Sequence, residues 1–182
     1  QLDACKAVVA MLNREAAFTR RGRNGVIIEK TSLIVAAFQH AEARPAAHID
    51  GLVTADMDLH SHLCLANAGE KSIGAEHPVD DARGSGKYGA LDARPLFRTL
   101  MLSGSVYHLA LSSGLQKLGF EIEVTGKGGI FELVTPEGPL FDRETRRYFS
   151  ARRNQIEKRL AEYDLVSGDA PELAAAITKA TR

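Results

Sequence analysis

Two stretches of the chain have the hydrophobic pattern of a β-strand. Residues 33–40 (Leu-Ile-Val-Ala-Ala-Phe-Gln-His) are apolar and β-branched, and residues 56–67 contain a second run of this kind. Both patterns are typical of β-strands. Successive side chains of a strand point to opposite faces. His60 and His62 would therefore share one face, and the other would carry Leu59, Ser61, Leu63 and Leu65.

Other stretches repeat their apolar residues at the spacing of an α-helix. We predict helices over residues 3–19, from Asp92 to Gly119, after Asp142 (a basic helix) and from about Pro171. Residues 120–134 predict a β-hairpin around a glycine-rich turn, and residues 69–89 predict an exposed loop or loose hairpin. The predicted fold class is α/β, with an antiparallel β-sheet that carries the histidines on one face and packs long helices on the other.

Composition and charge narrow the function. The 182 residues, 45% of them hydrophobic, can form one substantial core. The 23 basic and 23 acidic residues cancel, which argues against binding of polyanions through bulk charge but allows a local basic surface. Cys5 and Cys64 give no disulfide framework, and the sequence shows neither a signal peptide nor a membrane-spanning run. We therefore expect a cytoplasmic protein without a membrane partner.

His40 ends the first predicted strand, so its ring would approach those of His60 and His62 if the two strands pair. Neutral imidazole is the commonest protein ligand for divalent transition metals, and three histidines leave positions open for water or a substrate oxygen. Histidines on strands are often ordinary core or surface residues instead. On spacing alone, the two interpretations of His60 and His62 are about equally supported.

Several motifs resemble a known family. Residues 38–44 (Phe-Gln-His-Ala-Glu-Ala-Arg) and 56–62 (Asp-Met-Asp-Leu-His-Ser-His) are similar to the metal-site motifs of conjugative relaxases of the TrwC/TraI (MobF) type. Those enzymes belong to the HUH endonucleases, named for a histidine, hydrophobic, histidine motif. Residues 18–22, 90–97 and 149–157 also resemble landmarks of the family, in the family's order.

The resemblance implies a metal-dependent endonuclease and strand transferase of plasmid conjugation. Such an enzyme nicks single-stranded DNA at a transfer origin through a tyrosine nucleophile and a bound divalent ion (Mg, Mn or Zn). The implied metal ligands are His40, His60 and His62. Asp56 or Asp58 would orient a histidine through its second ring nitrogen.

Two departures from the family pattern bear on these assignments. Ser61 stands between the histidines in place of a hydrophobic residue, although small polar residues are usual there in the conjugative subgroup. The interval from Arg44 to Asp56 is longer than in most relatives and predicts a longer hairpin tip, which contains His48. The third ligand is thus either His40 or His48. We choose His40 because it lies in the Phe-x-His-x-x-x-Arg context of the family.

Four arginines are candidate DNA contacts. Arg20, Arg21 and Arg23 lie in a predicted turn, and Arg44 follows the first histidine. A solvated turn explains the first three about as well as phosphate binding does. The family resemblance favours contact with single-stranded DNA.

The chain begins at Gln1 and enters a helical pattern at once. We therefore expect residues 1–182 to be the C-terminal part of a relaxase domain that is incomplete at its N-terminus. Relatives carry the nucleophilic tyrosine on an N-terminal segment, and no tyrosine of this chain corresponds to it. We expect the fragment alone to be inactive, with the missing segment as its partner, and a helicase region often follows in this family.

Two other function classes fit the same residues. Three histidines and an open position suit a metal-dependent phosphodiester hydrolase that uses activated water. They also suit a DNA-binding module with a structural metal. A covalent DNA adduct would exclude the hydrolase, and metal-dependent cleavage would exclude the binding module.

Overall fold

The chain contains both helices and strands, as the predicted α/β class requires. The computed structural model describes residues 1–21, 23–71, 88–165 and 171–180. Its helices are α1 (Leu2–Glu15), α2 (Ala93–Arg98), α3 (Leu100–Lys117), α4 (Arg143–Tyr148), α5 (Ala151–Ala161) and α6 (Pro171–Ala180). Its strands are β1 (Phe18–Arg21), β2 (Ile27–Glu42), β3 (Ala46–Ala47), β4 (Val53–Thr54), β5 (Met57–Lys71), β6 (Tyr88–Gly89), β7 (Glu121–Val124), β8 (Phe131–Thr135) and β9 (Gly138–Pro139).

Contacts group the residues into two units. Unit 1 contains Gln1–Gln39 and Ser61–Pro139. Unit 2 contains His40–His60 and Leu140–Arg182. Among the described residues, no helix is both long and apolar enough to cross a membrane.

The predicted antiparallel sheet is confirmed. Four strands lie in the order β1-β2-β5-β6, and both β1 with β2 and β5 with β6 pair antiparallel. Between the two long strands, Thr31 of β2 lies against Gly69 of β5. Nine residues further along β2 and nine residues back along β5, the ring centroids of His40 and His60 are 5.2 Å apart. The long strands therefore also run antiparallel, and their register is the same at both contacts.

Helices cover one face of this sheet in unit 1. Helix α1 packs against α3, and Leu33 of β2 and Leu63 of β5 pack onto its buried apolar stripe. That stripe consists of Val8, Met11, Leu12 and Ala16. Because side chains alternate along a strand, His62, the neighbour of Leu63, stands on the face opposite the helices. The burial of alternate β2 residues from Glu29 to Ala36 follows the same rule.

Gly69 allows β5 to approach β2 closely. A Cβ atom at this position would lie 2.5 Å from Thr31 Oγ1 and 2.8 Å from Thr19 Cγ2. The Thr31 hydroxyl also donates a hydrogen bond to the carbonyl of Glu70. A larger residue at position 69 would have to separate the strands or displace both threonines.

Two predicted helices differ from their apolar patterns: one ends early, and the other is divided in two. Helix α1 ends at Glu15, because Phe18–Arg21 pairs with β2 instead of continuing the helix. The helix predicted from Asp92 to Gly119 is divided at Thr99, whose hydroxyl donates to the carbonyls of Pro95 and Leu96. Such back-bonding competes with regular helix geometry.

The predicted caps and the hairpin are confirmed. Asp92 accepts a hydrogen bond from the Arg94 N–H, and Asp142 accepts one from the Thr145 N–H at 2.7 Å. Both carboxylates satisfy donors that a helix start leaves unpaired. The hairpin of residues 120–134 is formed by β7 and β8. The two ends of the segment 69–89, predicted as a loop or loose hairpin, belong to β5 and β6, which pair antiparallel. Residues 72–87, with His77, lie outside the described residues.

Unit 2 joins the hairpin tip to the C-terminal helices. The tip consists of β3 and β4, which pair antiparallel. The predicted basic helix forms two helices, α4 and α5, separated at Phe149 and Ser150. Gln155 of α5 donates to the carbonyl of Ala47 at 3.2 Å, which attaches α5 to the tip.

Candidate metal centre

Three histidines converge on the long strands. One ring nitrogen from each of His40, His60 and His62 lies within 4.8 Å of the other two. This is a donor set that could hold a metal ion. Strand β2 supplies His40 and strand β5 supplies the other two, as the alternation of the sequence predicts. His40 and His62 are exposed, and His60 is half-buried.

The donor set fits a divalent ion with borderline or hard character. Imidazole nitrogens bind such ions at about 2.1 Å, so two ligands of one ion lie about 3 to 4 Å apart. Separations of up to 4.8 Å therefore require only side-chain rotation to close. Three neutral ligands leave at least one position for a substrate oxygen, which is typical of catalytic rather than structural sites.

Asp58 lies beside His60. The Nδ1 atom of His60 is 2.8 Å from the carbonyl oxygen of Asp58 and 3.7 Å from a carboxylate oxygen of the same residue. A proton on Nδ1 is donated to the carbonyl, which leaves Nε2 as the unprotonated nitrogen that a metal requires. The carboxylate is too far for a hydrogen bond, and its negative charge favours a cation nearby.

His48 is part of a separate cluster in unit 2, the His48 cluster, which consists of His48, Asp50, Asp56 and Tyr148. Its side chain is 0% exposed, and its Nε2 atom lies 3.3 Å from Oδ1 of Asp56. Among the described residues neither ring nitrogen of His48 has a hydrogen-bond partner, so the contact with Asp56 is electrostatic and lies off the hydrogen-bond direction. The ring of Tyr148 covers His48, with the two centroids 4.6 Å apart.

Asp56 connects the base of the tip to α5. Its Oδ2 atom accepts a hydrogen bond of 2.9 Å from the N–H of Ala151 at the start of α5, and its carbonyl accepts one from the N–H of Ala43. A carboxylate at a helix start is stabilised by the unpaired N–H groups and by the helix dipole. These contacts occupy Asp56 within unit 2.

Tyr148 and Asp50 complete the His48 cluster, in which His48 and Asp56 are buried, Tyr148 is half-buried and Asp50 is exposed. The Tyr148 hydroxyl donates to Asp50 at 3.1 Å, and the Leu52 N–H donates to the same carboxylate at 3.0 Å. The Leu52 hydrogen bond, with a smaller contribution from Tyr148, lowers the pKa of Asp50. The hydrogen bond to Asp50 raises the pKa of Tyr148. Sequence reasoning missed this cluster, because Tyr148 is 98 residues away from Asp50 along the chain.

Comparisons with known proteins identify the family. A sequence model of the TrwC relaxase family matches residues 1–182. This chain belongs to the TrwC relaxase family. The resemblance of its motifs to conjugative relaxases is thereby confirmed. No curated protein sequence matches the chain.

Solved structures of the relaxase TrwC share this fold. One, described as TrwC in complex with mutant OriT DNA, is 25% identical, with a TM-score of 0.65, and the match covers 98% of this chain and 58% of that one. Another holds a 27-mer DNA comprising the recognition hairpin and the cleavage site, with 26% identity, a TM-score of 0.65, and coverage of 97% and 56%.

A third, described as a metal-bound complex with OriT DNA, is 25% identical, with a TM-score of 0.66 and coverage of 97% and 55%. The present relaxase chain thus spans between 55% and 58% of the TrwC chains that it matches.

The arginines predicted to contact DNA are distributed over both units. Arg20 is exposed in β1, and Arg44 is exposed just after β2. Arg21 lies in β1 and Arg23 begins a 3-10 turn, but their side chains lie outside the described part of the relaxase chain.

Two of the four tyrosines of the relaxase chain are poorly suited to act as nucleophiles. Burial is the main cause that raises the pKa of Tyr107, which faces the helix side of the sheet near Ser61. The hydrogen bond to Asp50 does the same for Tyr148. A raised pKa reduces the phenolate fraction that attacks phosphorus. Tyr88 and Tyr163 are exposed, in β6 and just after α5.

Proposed function

We propose that this chain provides the metal-binding part of a conjugative relaxase that nicks single-stranded DNA at a transfer origin. The observation that carries the proposal is the convergence of His40, His60 and His62 in a chain of the TrwC relaxase family. TrwC itself has been solved with OriT DNA and in a metal-bound form. The reaction is phosphodiester cleavage by a tyrosine, which leaves a covalent link between protein and DNA.

The histidines hold the cofactor, for which we propose a divalent ion such as Mg, Mn or Zn. When bound, such an ion draws electron density from a non-bridging phosphate oxygen and stabilises the charge of the five-coordinate transition state. His60, fixed by the hydrogen bond from Nδ1 to the Asp58 carbonyl, presents Nε2 in a constant orientation. Because the site is on an exposed sheet face, a DNA strand can reach it.

We assign Asp58, rather than Asp56, the positioning of a metal ligand. Asp58 is adjacent to His60, whereas both carboxylate oxygens of Asp56 lie against groups of unit 2. For the third ligand we propose His40 rather than His48, since the side chain of His48 is fully buried beside Asp56. Arg20, Arg21, Arg23 and Arg44 are proposed to contact the phosphate backbone, which makes DNA affinity fall with salt.

The nucleophile is proposed to lie outside residues 1–182, on a preceding segment of the same relaxase domain. The raised pKa values of Tyr107 and Tyr148 support this assignment. Without a positioned nucleophile, the advantage of proximity, about 7–11 kcal/mol, is missing. Residues 1–182 alone should therefore not cleave DNA. The free cysteines Cys5 and Cys64 support a reducing, bacterial cytoplasmic location.

The test is to incubate the full-length protein, and separately residues 1–182, with a labelled single-stranded oligonucleotide from the transfer origin and Mg²⁺ or Mn²⁺. A covalent adduct on a denaturing gel is expected for the full-length protein only, and it should disappear with EDTA or with His62→Ala. Cleavage without an adduct would indicate a hydrolase with an activated water. Metal and DNA binding without cleavage would indicate a binding module. An adduct on residues 1–182 that is lost in Tyr88→Phe would overturn the assignment of the nucleophile.

A further inference from the structure

The face of the sheet that carries the histidines also carries an exposed aromatic residue. Phe38 precedes His40 by two positions on β2 and therefore points to the same face. Its side chain is 52% exposed, although phenylalanine is usually buried. The alternation of β2 supports this orientation, because Leu33 packs onto α1 while Ile34 is exposed.

The register of the two long strands places Phe38 next to a proposed ligand. Thr31 lies opposite Gly69, and His40 lies opposite His60. In the constant antiparallel register between those two pairs, the position opposite Phe38 is His62. Side chains that lie directly opposite each other on one face have Cβ atoms about 4.5–5.5 Å apart. The ring of Phe38 therefore lies beside His62, one of the three proposed metal ligands.

We infer that Phe38 is a stacking platform for a nucleobase of the single strand, next to the phosphate that is cleaved. This inference rests on the proposed function and adds a specific base contact to it. Proteins that bind single-stranded DNA combine cationic side chains with aromatic rings on which bases stack, and any base can stack because each has a π-face. An exposed Phe beside a phosphate site supplies such a ring without adding charge to the metal ligands.

The absence of tryptophan from the sequence permits a direct test. The Phe38→Trp variant of residues 1–182 has a single indole. Its fluorescence should be quenched when a single-stranded oligonucleotide of mixed sequence is added without metal. Phe97→Trp is the matched control, because Phe97 is 75% exposed on α2, next to Leu96, which packs on the helix side of the sheet. Its indole should respond little. The same sequence as a duplex should quench the Phe38→Trp variant less, since its bases are already stacked.

Affinity measurements separate stacking from simple apolar contact. Phe38→Leu should weaken binding of the oligonucleotide by about 5- to 100-fold in fluorescence anisotropy, whereas Phe38→Tyr should retain it. Metal affinity should be unchanged in both variants. DNA binding that is equal for Phe38→Leu and the parent, or an indole that does not respond while the oligonucleotide binds, would overturn the inference and leave the proposed function standing. The absence of any oligonucleotide binding by the parent would overturn both.

Discussion

The three clustered histidines and the single buried His48 show how the same type of side chain has different roles in this chain. His40, His60 and His62 stand on two long strands, where they are exposed or half-buried, and their ring nitrogens converge. His48 lies on the irregular hairpin tip, with its ring enclosed by Tyr148 and beside a buried carboxylate. The first group is open to a ligand, and the second holds two segments of unit 2 together. Access and convergence, rather than residue type, therefore distinguish a candidate metal centre from a structural contact.

The largest effect expected is on metal binding. His40→Ala should weaken binding of a divalent ion by more than about 100-fold, because it removes one of three ligands, a greater loss than that of an outer hydrogen bond. His48→Ala should leave both the affinity and the stoichiometry of about one ion per chain unchanged. Isothermal titration calorimetry measures both quantities.

Urea unfolding of the same two variants serves as the control, since a misfolded protein would also lose the ion. If His48→Ala loses the ion while remaining folded, the third ligand is His48 and the assignment of the two groups is reversed. If both variants bind normally, the three-histidine centre is wrong.

Asp56 and Asp58 should also differ in role: Asp56 should affect stability, and Asp58 should affect metal affinity. Asp56→Ala should lower the free energy of unfolding by about 1–3 kcal/mol, because it leaves the buried N–H of Ala151 without an acceptor. Its metal affinity should not change. Asp58→Asn should weaken metal binding by about 10-fold, at the lower end of the range for such groups, because the carbonyl that accepts from His60 remains.

Denaturant titration and metal titration of both variants are needed to test this division. A loss of metal affinity in Asp56→Ala without a loss of stability would mean that Asp56, not Asp58, supports the metal ligands.

The smallest effect expected is the pH dependence of stability that comes from Asp50 in the His48 cluster. The pKa of Asp50 is lowered in the folded protein, so its contribution to stability is present above the unfolded pKa and is lost as pH falls through the folded pKa. Asp50→Asn keeps an acceptor for the Leu52 N–H but cannot titrate. The midpoint of urea unfolding should therefore depend less on pH in the acidic range for Asp50→Asn than for the parent.

Metal affinity at neutral pH should be the same in Asp50→Asn and the parent, because Asp50 belongs to the His48 cluster and not to the candidate metal centre. An unchanged acid dependence of stability would show that the carboxylate of Asp50 does not contribute in this way.

The sequence predicted what depends on local periodicity. The apolar, β-branched run of residues 33–40 and the period of two in residues 56–67 predicted the two long strands and the shared face of His60 and His62, and the short polar residues Asp92 and Asp142 predicted two helix starts. The family motif added His40. These features are local because a strand's period or a cap needs only a few neighbouring residues.

What the sequence could not predict depends on partners that are distant along the chain. Helix α1 ends early because residues 18–21 pair with β2, and nothing within the apolar pattern of α1 indicates this. The role of Asp56 is decided by Ala151, and that of His48 by Tyr148. The spacing of His48 relative to the other histidines could not reveal its burial, since exposure is a property of the packed tip and helices.

Gly69 has a consequence for how such a chain can diverge. Side chains on a strand change face with every one-residue shift, so a slip of β5 against β2 would turn His60 and His62 toward the helices and separate them from His40. The close approach at Gly69 and Thr31 is satisfied in only one alignment of the strands. A substitution there would disturb the convergence of His40, His60 and His62 without replacing any of them, through the alignment of two strands nine residues away from where the histidines meet. Residues that determine strand alignment are thus as necessary to the candidate metal centre as the histidines themselves, although they have no chemistry of their own.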